Sequence, residues 1–277
     1  MRILITGANG YIGSHLTKRL LDLGHTVAAC DIAAANVDSR ANYINCDILS
    51  SAGDANLYEL FGKPDVCVHL AWRDGFVHNS ERHILDLSAH YRFLTQLIDE
   101  GLPRLMVMGS MHEVGYYEGM ITAETPCHPL SLYGIAKNTL RQSLTLYCAA
   151  KNCKLQWTRG FYIYGDDLKN HSIFTKLVEA EQRGDRLFPF TTGKNKYDFM
   201  SVDELVGQLA AVALQDRYCG IIHCCTGRPV SLAEKVEQFI KDNNMHIHLN
   251  YGAYPDRPYD SPCIYGDNTI INEIMNG

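Results

Sequence analysis

MRILITGANGYIGSHLTKRL (residues 1–20) is the stretch that decides the fold. Its apolar start, Arg2–Thr6, predicts a buried strand, and the amphipathic pattern from Tyr11 onward predicts a helix. Three glycines, at positions 7, 10 and 13, fall in and beside the turn that joins them. Glycine permits a positive φ and a close approach to the backbone, while a helix N-terminus attracts anions. The stretch predicts a phosphate-binding turn, and a loop that only makes a tight turn is the alternative.

Composition is that of an ordinary globular protein. The 277 residues, of which 46% are hydrophobic and 20% charged, can form one large domain or two closely associated ones. A net charge of −6 argues against a nucleic-acid partner. Ten scattered cysteines without a CxxC pair predict reduced thiols in a cytoplasmic protein and no metal site. A strand at residue 2 and the lack of a long apolar run predict no signal peptide and no membrane contact.

Strand and helix patterns alternate along the first 165 residues. Four further strand patterns follow the first one. The first two end at Asp31 and near Ile48, the third ends just before Ala71, and the fourth begins after Pro103. Long amphipathic helices are predicted over 83–100 and 132–151. This alternation predicts an α/β fold with a Rossmann-type doubly wound parallel sheet over 1–165, to which 197–225 returns. The looser pattern over 166–196 and 226–277 predicts a small C-terminal substrate-binding cap.

Asp31 ends the predicted second strand, roughly 20 residues beyond the glycines. A carboxylate at that place accepts hydrogen bonds from an adenosine ribose and repels a 2′-phosphate. Asp31 therefore favours NAD over NADP as cofactor, while a surface aspartate that opens a loop is the alternative reading.

Tyr133 and Lys137, in LYGIAKNTL, are four residues apart on a predicted helix and share one face. An ammonium beside a phenol favours the phenolate. Lowering a tyrosine pKa from about 10 by three units takes roughly 4 kcal/mol, which Lys137 and a positively charged nicotinamide could supply together. The pair predicts a general acid/base, and a helix carrying a surface lysine is the alternative.

Together these motifs give the chain a family resemblance. TGANGYIG, Asp31, CDI, HLAW, VMGS, YGIAK, RGFYIYG, YDFMSVDELV, HCCTGRPVSL and PDRPYD resemble the extended short-chain dehydrogenase/reductases of the NAD-dependent nucleotide-sugar epimerase/dehydratase group. The resemblance covers nearly the whole chain. It implies a Ser-Tyr-Lys site with Tyr133 as acid/base, and it implies a set of cofactor-binding residues: Gly7, Asn9, Gly10, Tyr11, Ile12, Gly13, Asp31, Asp47, Ile48, Leu70, Ala71, Tyr133 and Lys137.

The family's catalytic hydroxyl has two candidate registers in GSMHEVG. Counting back from Val114 selects Met111, whereas counting along the strand selects Ser110. A hydroxyl can donate a hydrogen bond to a sugar oxygen and a thioether cannot, so Ser110 is predicted. Met111 and His112 then occupy the positions of the dehydratases' Asp-Glu pair, which disfavours dehydration, although Glu113 keeps a carboxylate close.

Two histidines resemble the extra proton carriers of some epimerase-reductases. His112 follows Ser110 by two residues, and His171 lies in the predicted cap; hydrogen-bonded cleft or surface histidines are the alternative. The resemblance places the substrate, a nucleoside diphosphate sugar, against Ser110, Tyr133, Asn170, His171 and Arg257, with Lys176 and Arg186 as further candidates.

The predicted function is NAD-dependent oxidoreduction or epimerisation at a carbinol or ketone of such a sugar, with C4 as the expected position. Three outcomes stay open: a 4-epimerase, a ketoreductase or a dehydrogenase. A reductase of a small non-nucleotide carbonyl compound and a catalytically idle dinucleotide sensor are the alternatives. The resembled family also implies a homodimer through the two long helices, whose apolar positions are Leu87, Tyr91, Leu94, Leu140, Leu144 and Tyr147.

Overall fold

The structure is a computed structural model that describes residues 1–51, 53, 55–165, 172–256 and 260–277. Its strands are β1 (Arg2–Thr6), β2 (Thr26–Asp31), β3 (Asn42–Asn45), β4 (Val66–His69), β5 (Arg104–Ser110), β6 (Gly119–Ile121), β7 (Lys154–Gly160), β8 (Tyr162–Tyr164), β9 (Leu187–Pro189), β10 (Lys196–Ser201), β11 (Gly220–Cys224), β12 (Pro229–Ser231), β13 (His248–Asn250) and β14 (Cys263–Gly266). Its α-helices are α1 (Tyr11–Asp22), α2 (Leu57–Leu60), α3 (Arg82–Leu85), α4 (Leu87–Asp99), α5 (Leu132–Lys151), α6 (Ile173–Gln182), α7 (Val202–Leu214), α8 (Leu232–Asp242) and α9 (Thr269–Asn276).

Seven parallel strands form the large sheet, in the order β11-β7-β5-β4-β1-β2-β3. Side chains alternate between its two faces: Ile3 and Ile5 pack toward α1 and α7, whereas Leu4 packs toward α4 and α5. Both faces are therefore buried, as the continuous apolar strand patterns predict. The carboxyl ends of β1, β2, β4 and β5 meet at one edge, where ligands of such sheets bind.

A second, five-stranded sheet contains β12, β10, β14 and β6 in order, with β8 paired to β10. It shares a third apolar cluster with α6 and α8, around Phe174, Phe199 and Phe239. The segment 197–225 is predicted to return to the large sheet. Helix α7 packs against that sheet and β11 extends it beside β7, whereas β10 belongs to the second sheet.

Helix α5 has the predicted bounds, and its caps explain why. The Ser131 hydroxyl accepts a hydrogen bond from the Gly134 amide at the start, and Asn152 ends the helix in the left-handed conformation, at φ +55°. The single helix predicted over 83–100 is wrong. It is divided into α3 and α4 at Asp86, whose carboxylate accepts two hydrogen bonds from Arg73, at 2.8 and 3.0 Å.

None of the helices within the described ranges is long and apolar enough to cross a membrane. All ten cysteines are free thiols.

Candidate active site

Two glycines of the turn let backbone segments approach each other closely. Gly7 has φ +74°, and a Cβ there would lie 2.6 Å from the Ala71 nitrogen. A Cβ on Gly13 would overlap the carbonyl oxygen of Gly7, so only glycine lets α1 start this near to β1. Gly10 is the N-cap of α1 and offers no side-chain acceptor to the first amides of the helix. These features fit the diphosphate of a dinucleotide.

Asp31 lies at the end of β2 and is tied to that turn. One carboxylate oxygen accepts a hydrogen bond from the Asn9 amide at 3.0 Å, and the other accepts from the Ile32 amide at 2.7 Å. The Asn9 side chain in turn accepts from the Asn36 amide at 2.8 Å. The structure thus places the predicted ribose carboxylate against the predicted diphosphate turn.

The other predicted cofactor residues surround the same edge of the sheet. Ile48 is buried behind β3, and the neighbouring Asp47 is exposed, with its carboxylate accepting from the Leu49 amide at 3.0 Å. Leu70 and Ala71 follow β4; the Leu70 amide donates to the Thr6 carbonyl at 3.1 Å. Tyr11 and Ile12 are half-buried in the first turn of α1.

Ser110 and Met111, the residues that the two registers of GSMHEVG select, lie in different surroundings. Ser110 ends β5 and caps a single 3₁₀ turn, Met111–Glu113, through its hydroxyl, which accepts from the His112 amide at 3.3 Å. The same side chain lies close enough to Tyr133 to lower the pKa of its phenol. Met111 is buried in the apolar cluster under the second sheet. The structure therefore brings Ser110, and not Met111, to the tyrosine.

Tyr133 and Lys137 occupy one face of α5, as their spacing predicts. Burial raises the pKa of Tyr133 to about 12, against the lowering effect of the hydrogen bond with Ser110. Burial also lowers the pKa of Lys137 to about 7. The ammonium lies 5.9 Å from the centroid of the Tyr133 ring. Lys137 by itself therefore does not depress the tyrosine pKa, and the sequence-based expectation depends on the second cation, the nicotinamide.

Four aromatic or imidazole rings surround Tyr133: Trp72, His78, His83 and His112, at centroid distances of 6.2, 5.5, 5.3 and 6.0 Å. Of these, only His112 was predicted to belong to the site. His78 stacks on the tyrosine ring at 13°, and its carbonyl accepts the Tyr133 amide at 2.9 Å. Burial lowers the pKa of His78, and it lowers that of His112 to about 4, so both rings are neutral near pH 7.

Glu113 is a buried carboxylate that sequence reasoning treated only as a nearby acid. It is 0% exposed and accepts hydrogen bonds from the Ser110 amide at 2.7 Å, from Trp157 Nε1 at 2.9 Å and from Arg159 Nε at 3.1 Å. Arg141 Nε lies 3.7 Å away. Because these donors engage both oxygens, Glu113 supports the strand end and does not face a substrate.

The predicted substrate residues of the cap are only partly described. Asn170, His171 and Arg257 lie outside the described residues. Lys176, on α6, and Arg186, before β9, are both exposed.

Comparison with known proteins identifies the family. Residues 3–219 match the model of the NAD dependent epimerase/dehydratase family. The dTDP-6-deoxy-L-talose 4-dehydrogenase (NAD(+)) of Aggregatibacter actinomycetemcomitans is 39% identical, over 96% of this chain and 99% of its own length.

Two solved structures confirm the predicted fold. A UDP-N-acetylglucosamine 4-epimerase from Methanobrevibacter ruminantium M1 superimposes with a TM-score of 0.85, at 20% identity, over 99% of this chain and 91% of that one. A UDP-glucose 4-epimerase from Thermotoga maritima gives a TM-score of 0.83, at 22% identity, over 99% and 92%. The chain therefore belongs to the NAD dependent epimerase/dehydratase family, as the resemblance of its motifs predicts, and it is an enzyme whose cofactor is NAD.

Proposed function

We propose that this enzyme oxidises or reduces C4 of a nucleoside diphosphate sugar at a site made by Ser110, Tyr133 and Lys137. One observation carries the proposal: the Ser110 side chain lies close enough to the Tyr133 phenol to lower its pKa, at the sheet edge that also holds the glycine turn. Two hydroxyls beside a dinucleotide turn can hold one sugar oxygen between them and exchange its proton.

The substrate class follows from the relative at 39% identity, which is named as acting at C4 of a dTDP-linked 6-deoxy sugar. The match spans 96% of this chain and 99% of that relative, so it includes the C-terminal region of both. We therefore propose a dTDP-linked 6-deoxyhexose, or its 4-keto form, as the substrate to be tested first.

Each site residue has a proposed role. Tyr133 takes the proton of the C4 hydroxyl, Ser110 holds that oxygen in line, and Lys137 holds the nicotinamide ribose. Bound NAD supplies the hydride acceptor. Gly7, Gly10 and Gly13, with the amides of Tyr11 and Ile12, hold the diphosphate. Asp31, which accepts the Asn9 amide, holds the adenosine ribose. Asp47, Ile48, Leu70 and Ala71 line the adenine and the rest of the cofactor.

Substrate contacts from the cap complete the proposal. Asn170, His171 and Arg257 would bind the sugar nucleotide, since a guanidinium pairs with phosphate through two hydrogen bonds. His112 is a candidate second proton carrier, because its neutral ring lies 6.0 Å from that of Tyr133. Residues 1–165 with 197–225 would then form the cofactor domain, and 166–196 with 226–277 the cap.

We also propose a homodimer in the cytoplasm, the location that the ten free thiols favour. Of the apolar positions named for the interface, Leu94, Leu140 and Leu144 are at most 1% exposed and pack inside the chain. The exposed apolar side chains of this region are different ones: Leu85 and Leu146 are 71% and 76% exposed, and Ile84 and Ile135 are 42% and 40% exposed, on α3 and α5.

The test is turnover with NAD and a panel of dTDP-linked and UDP-linked sugars, read at the nicotinamide absorbance and by product analysis. Tyr133→Phe is the control, and it should lose at least a hundredfold in turnover with NAD affinity nearly unchanged. An active Tyr133→Phe protein would contradict the mechanism. Turnover of a small carbonyl compound but of no sugar nucleotide would favour the alternative reductase, and NAD binding without any turnover would favour the idle sensor.

A further inference from the structure

The ammonium of Lys137 has an unusual pair of neighbours. Its Nζ donates a hydrogen bond to the Met108 carbonyl at 2.8 Å and lies 3.8 Å from the centroid of the Trp72 ring. Lys137 is 2% exposed, and among the described residues no carboxylate forms an ion pair with it. A desolvated ammonium over the face of an indole is held by the negative face of the ring. The aromatic face therefore takes the place that a carboxylate often has beside a buried lysine.

Trp72 is itself held on two sides by imidazoles. Its ring stacks on that of His90, at 4.6 Å and 16°, and its Nε1 donates to His83 Nδ1 at 3.0 Å. His83 Nε2 lies 3.0 Å from the Val77 carbonyl. Nδ1 of His83 is thus the acceptor and Nε2 the donor, which is the neutral tautomer. The indole cannot rotate away from Lys137 without losing both contacts.

The ring beneath Trp72 is also neutral. His90 Nδ1 pairs with His69 Nε2 at 3.0 Å, and His69 Nδ1 pairs with the Thr6 hydroxyl at 2.8 Å. Burial lowers the pKa of His90 to about 3, so this chain of side chains carries no charge near pH 7. Because the His90 and His69 rings are neutral, they do not repel the Lys137 ammonium on the other side of Trp72.

We infer that Trp72 is a positioning residue whose ring face, backed by His83 and His90, holds the Lys137 ammonium beside Tyr133. Its place in the chain suits the role, because Trp72 directly follows Ala71, whose amide lies against Gly7 of the glycine turn. The indole also makes a T-shaped contact with the Tyr133 ring, with 6.2 Å between the centroids and 80° between the planes. The consequence for turnover rests on the proposed function, whereas the placement of the ammonium does not.

Nuclear magnetic resonance of the full chain, labelled with ¹³C at the lysine Cε, tests the placement directly. Protons above an indole face resonate upfield, so the Lys137 Hε signal, assigned by its loss in Lys137→Arg, should lie upfield of the other lysines. The shift should vanish in Trp72→Leu, persist in reduced form in Trp72→Phe, and be unchanged in Phe76→Leu, which removes a 60% exposed ring from the same loop.

Turnover tests the consequence. Trp72→Leu should lower kcat about tenfold, and Trp72→Phe, which keeps a ring face, should restore most of it. An unshifted Lys137 signal in the parent protein, or one that stays upfield in Trp72→Leu, overturns the inference. So does a Trp72→Leu protein with the parent kcat. An upfield signal in a parent protein whose Tyr133→Phe variant stays active would instead contradict the proposed function alone.

Discussion

Ser110 and Glu113 form a capping box around one 3₁₀ turn, in which the side chain of each residue accepts a backbone amide of the turn. The Ser110 amide donates to the Glu113 carboxylate at 2.7 Å, while the Ser110 hydroxyl caps the turn that carries Glu113. Trp157 and Arg159 fix the carboxylate from β7. This arrangement sets the backbone of Ser110 at the end of β5 and turns Met111 into the core. The buried carboxylate, which neither register invoked, therefore explains why Ser110 and not Met111 lies beside Tyr133, and it supports the register proposed for the catalytic hydroxyl.

The serine can be tested against its neighbour. Ser110→Ala should cut turnover at least about a hundredfold, because it removes a positioning hydrogen bond worth roughly 2–3 kcal/mol in the transition state. Met111→Leu keeps the buried volume and should leave turnover within a few-fold of the parent. Steady-state kinetics on the two variants, with NAD affinity as the check on folding, makes the comparison. Equal kcat in Ser110→Ala and the parent would refute the assignment of the serine.

The glycine turn gives a prediction with a matched control in another helix. Gly13→Ala places a methyl group on the Gly7 carbonyl oxygen, so it should cost about 1–3 kcal/mol of folding free energy and at least tenfold in NAD affinity. Gly207→Ala, in α7, meets nothing within 4 Å and should stabilise the protein by up to about 1 kcal/mol. Urea unfolding and calorimetry with NAD measure both effects. Unchanged NAD affinity in Gly13→Ala would show that the turn does not face the cofactor.

Asp31 should set the choice of dinucleotide. We expect the parent protein to bind NAD at least tenfold more tightly than NADP, a difference of about 1.4 kcal/mol or more. Asp31→Asn removes the charge and keeps an acceptor for the Asn9 amide, so it should lose most of that preference while keeping the turn in place. Asp47→Asn, at the neighbouring strand end, should retain it. Calorimetry that finds equal affinities for both dinucleotides in the parent would contradict the prediction.

The proposed dimer depends on the exposed apolar residues of α3 and α5. Leu146→Glu places a charge on a side chain that is 76% exposed in the single chain, so it should convert a dimer to monomers without unfolding them. Leu187→Glu, at a 60% exposed leucine of β9, is the matched control and should not change the assembly. Light scattering at micromolar concentration distinguishes the two states. A monomeric parent protein would contradict the dimer outright.

Local patterns predicted those parts of the fold that local physics determines. The strand–turn–helix over 1–22 follows from a change of apolar period at the glycines, and α5 follows from its two caps. The break at Asp86 was missed because the apolar spacing continues across it, whereas the carboxylate there is engaged by Arg73.

Contacts distant in sequence could not be predicted in the same way. His78 lies in a loop without periodicity, 55 residues before the tyrosine whose amide it accepts. The motif HLAW contains Trp72 but says nothing of its partner. The contact with Lys137 arises because the segment after β4 and the start of α5 meet at one edge of the sheet. The Tyr-Lys spacing located the pair, but the rings that surround it depend on how distant segments pack.

Buried histidines should make the protein sensitive to acid. Burial lowers the pKa of His223 to about 4, from the ordinary 6.5, and its Nε2 has no hydrogen-bond partner among the described residues. Because the folded-state pKa is below the unfolded one, the unfolded chain binds more protons between pH 6.5 and 4. Stability therefore falls as the pH falls through this window, by about 1.4 kcal/mol per pH unit for one such histidine.

Substitution of that histidine isolates its share of the acid sensitivity. Between pH 7 and pH 5, His223→Leu should lose about 2 kcal/mol less folding free energy than the parent, because the variant has no proton to take up there on unfolding. His128→Leu, at an exposed histidine, should follow the parent. Urea unfolding of the full chain at both pH values gives the two differences. If His223→Leu and the parent lose the same free energy, His223 titrates alike in the folded and unfolded states, and its burial does not keep it neutral.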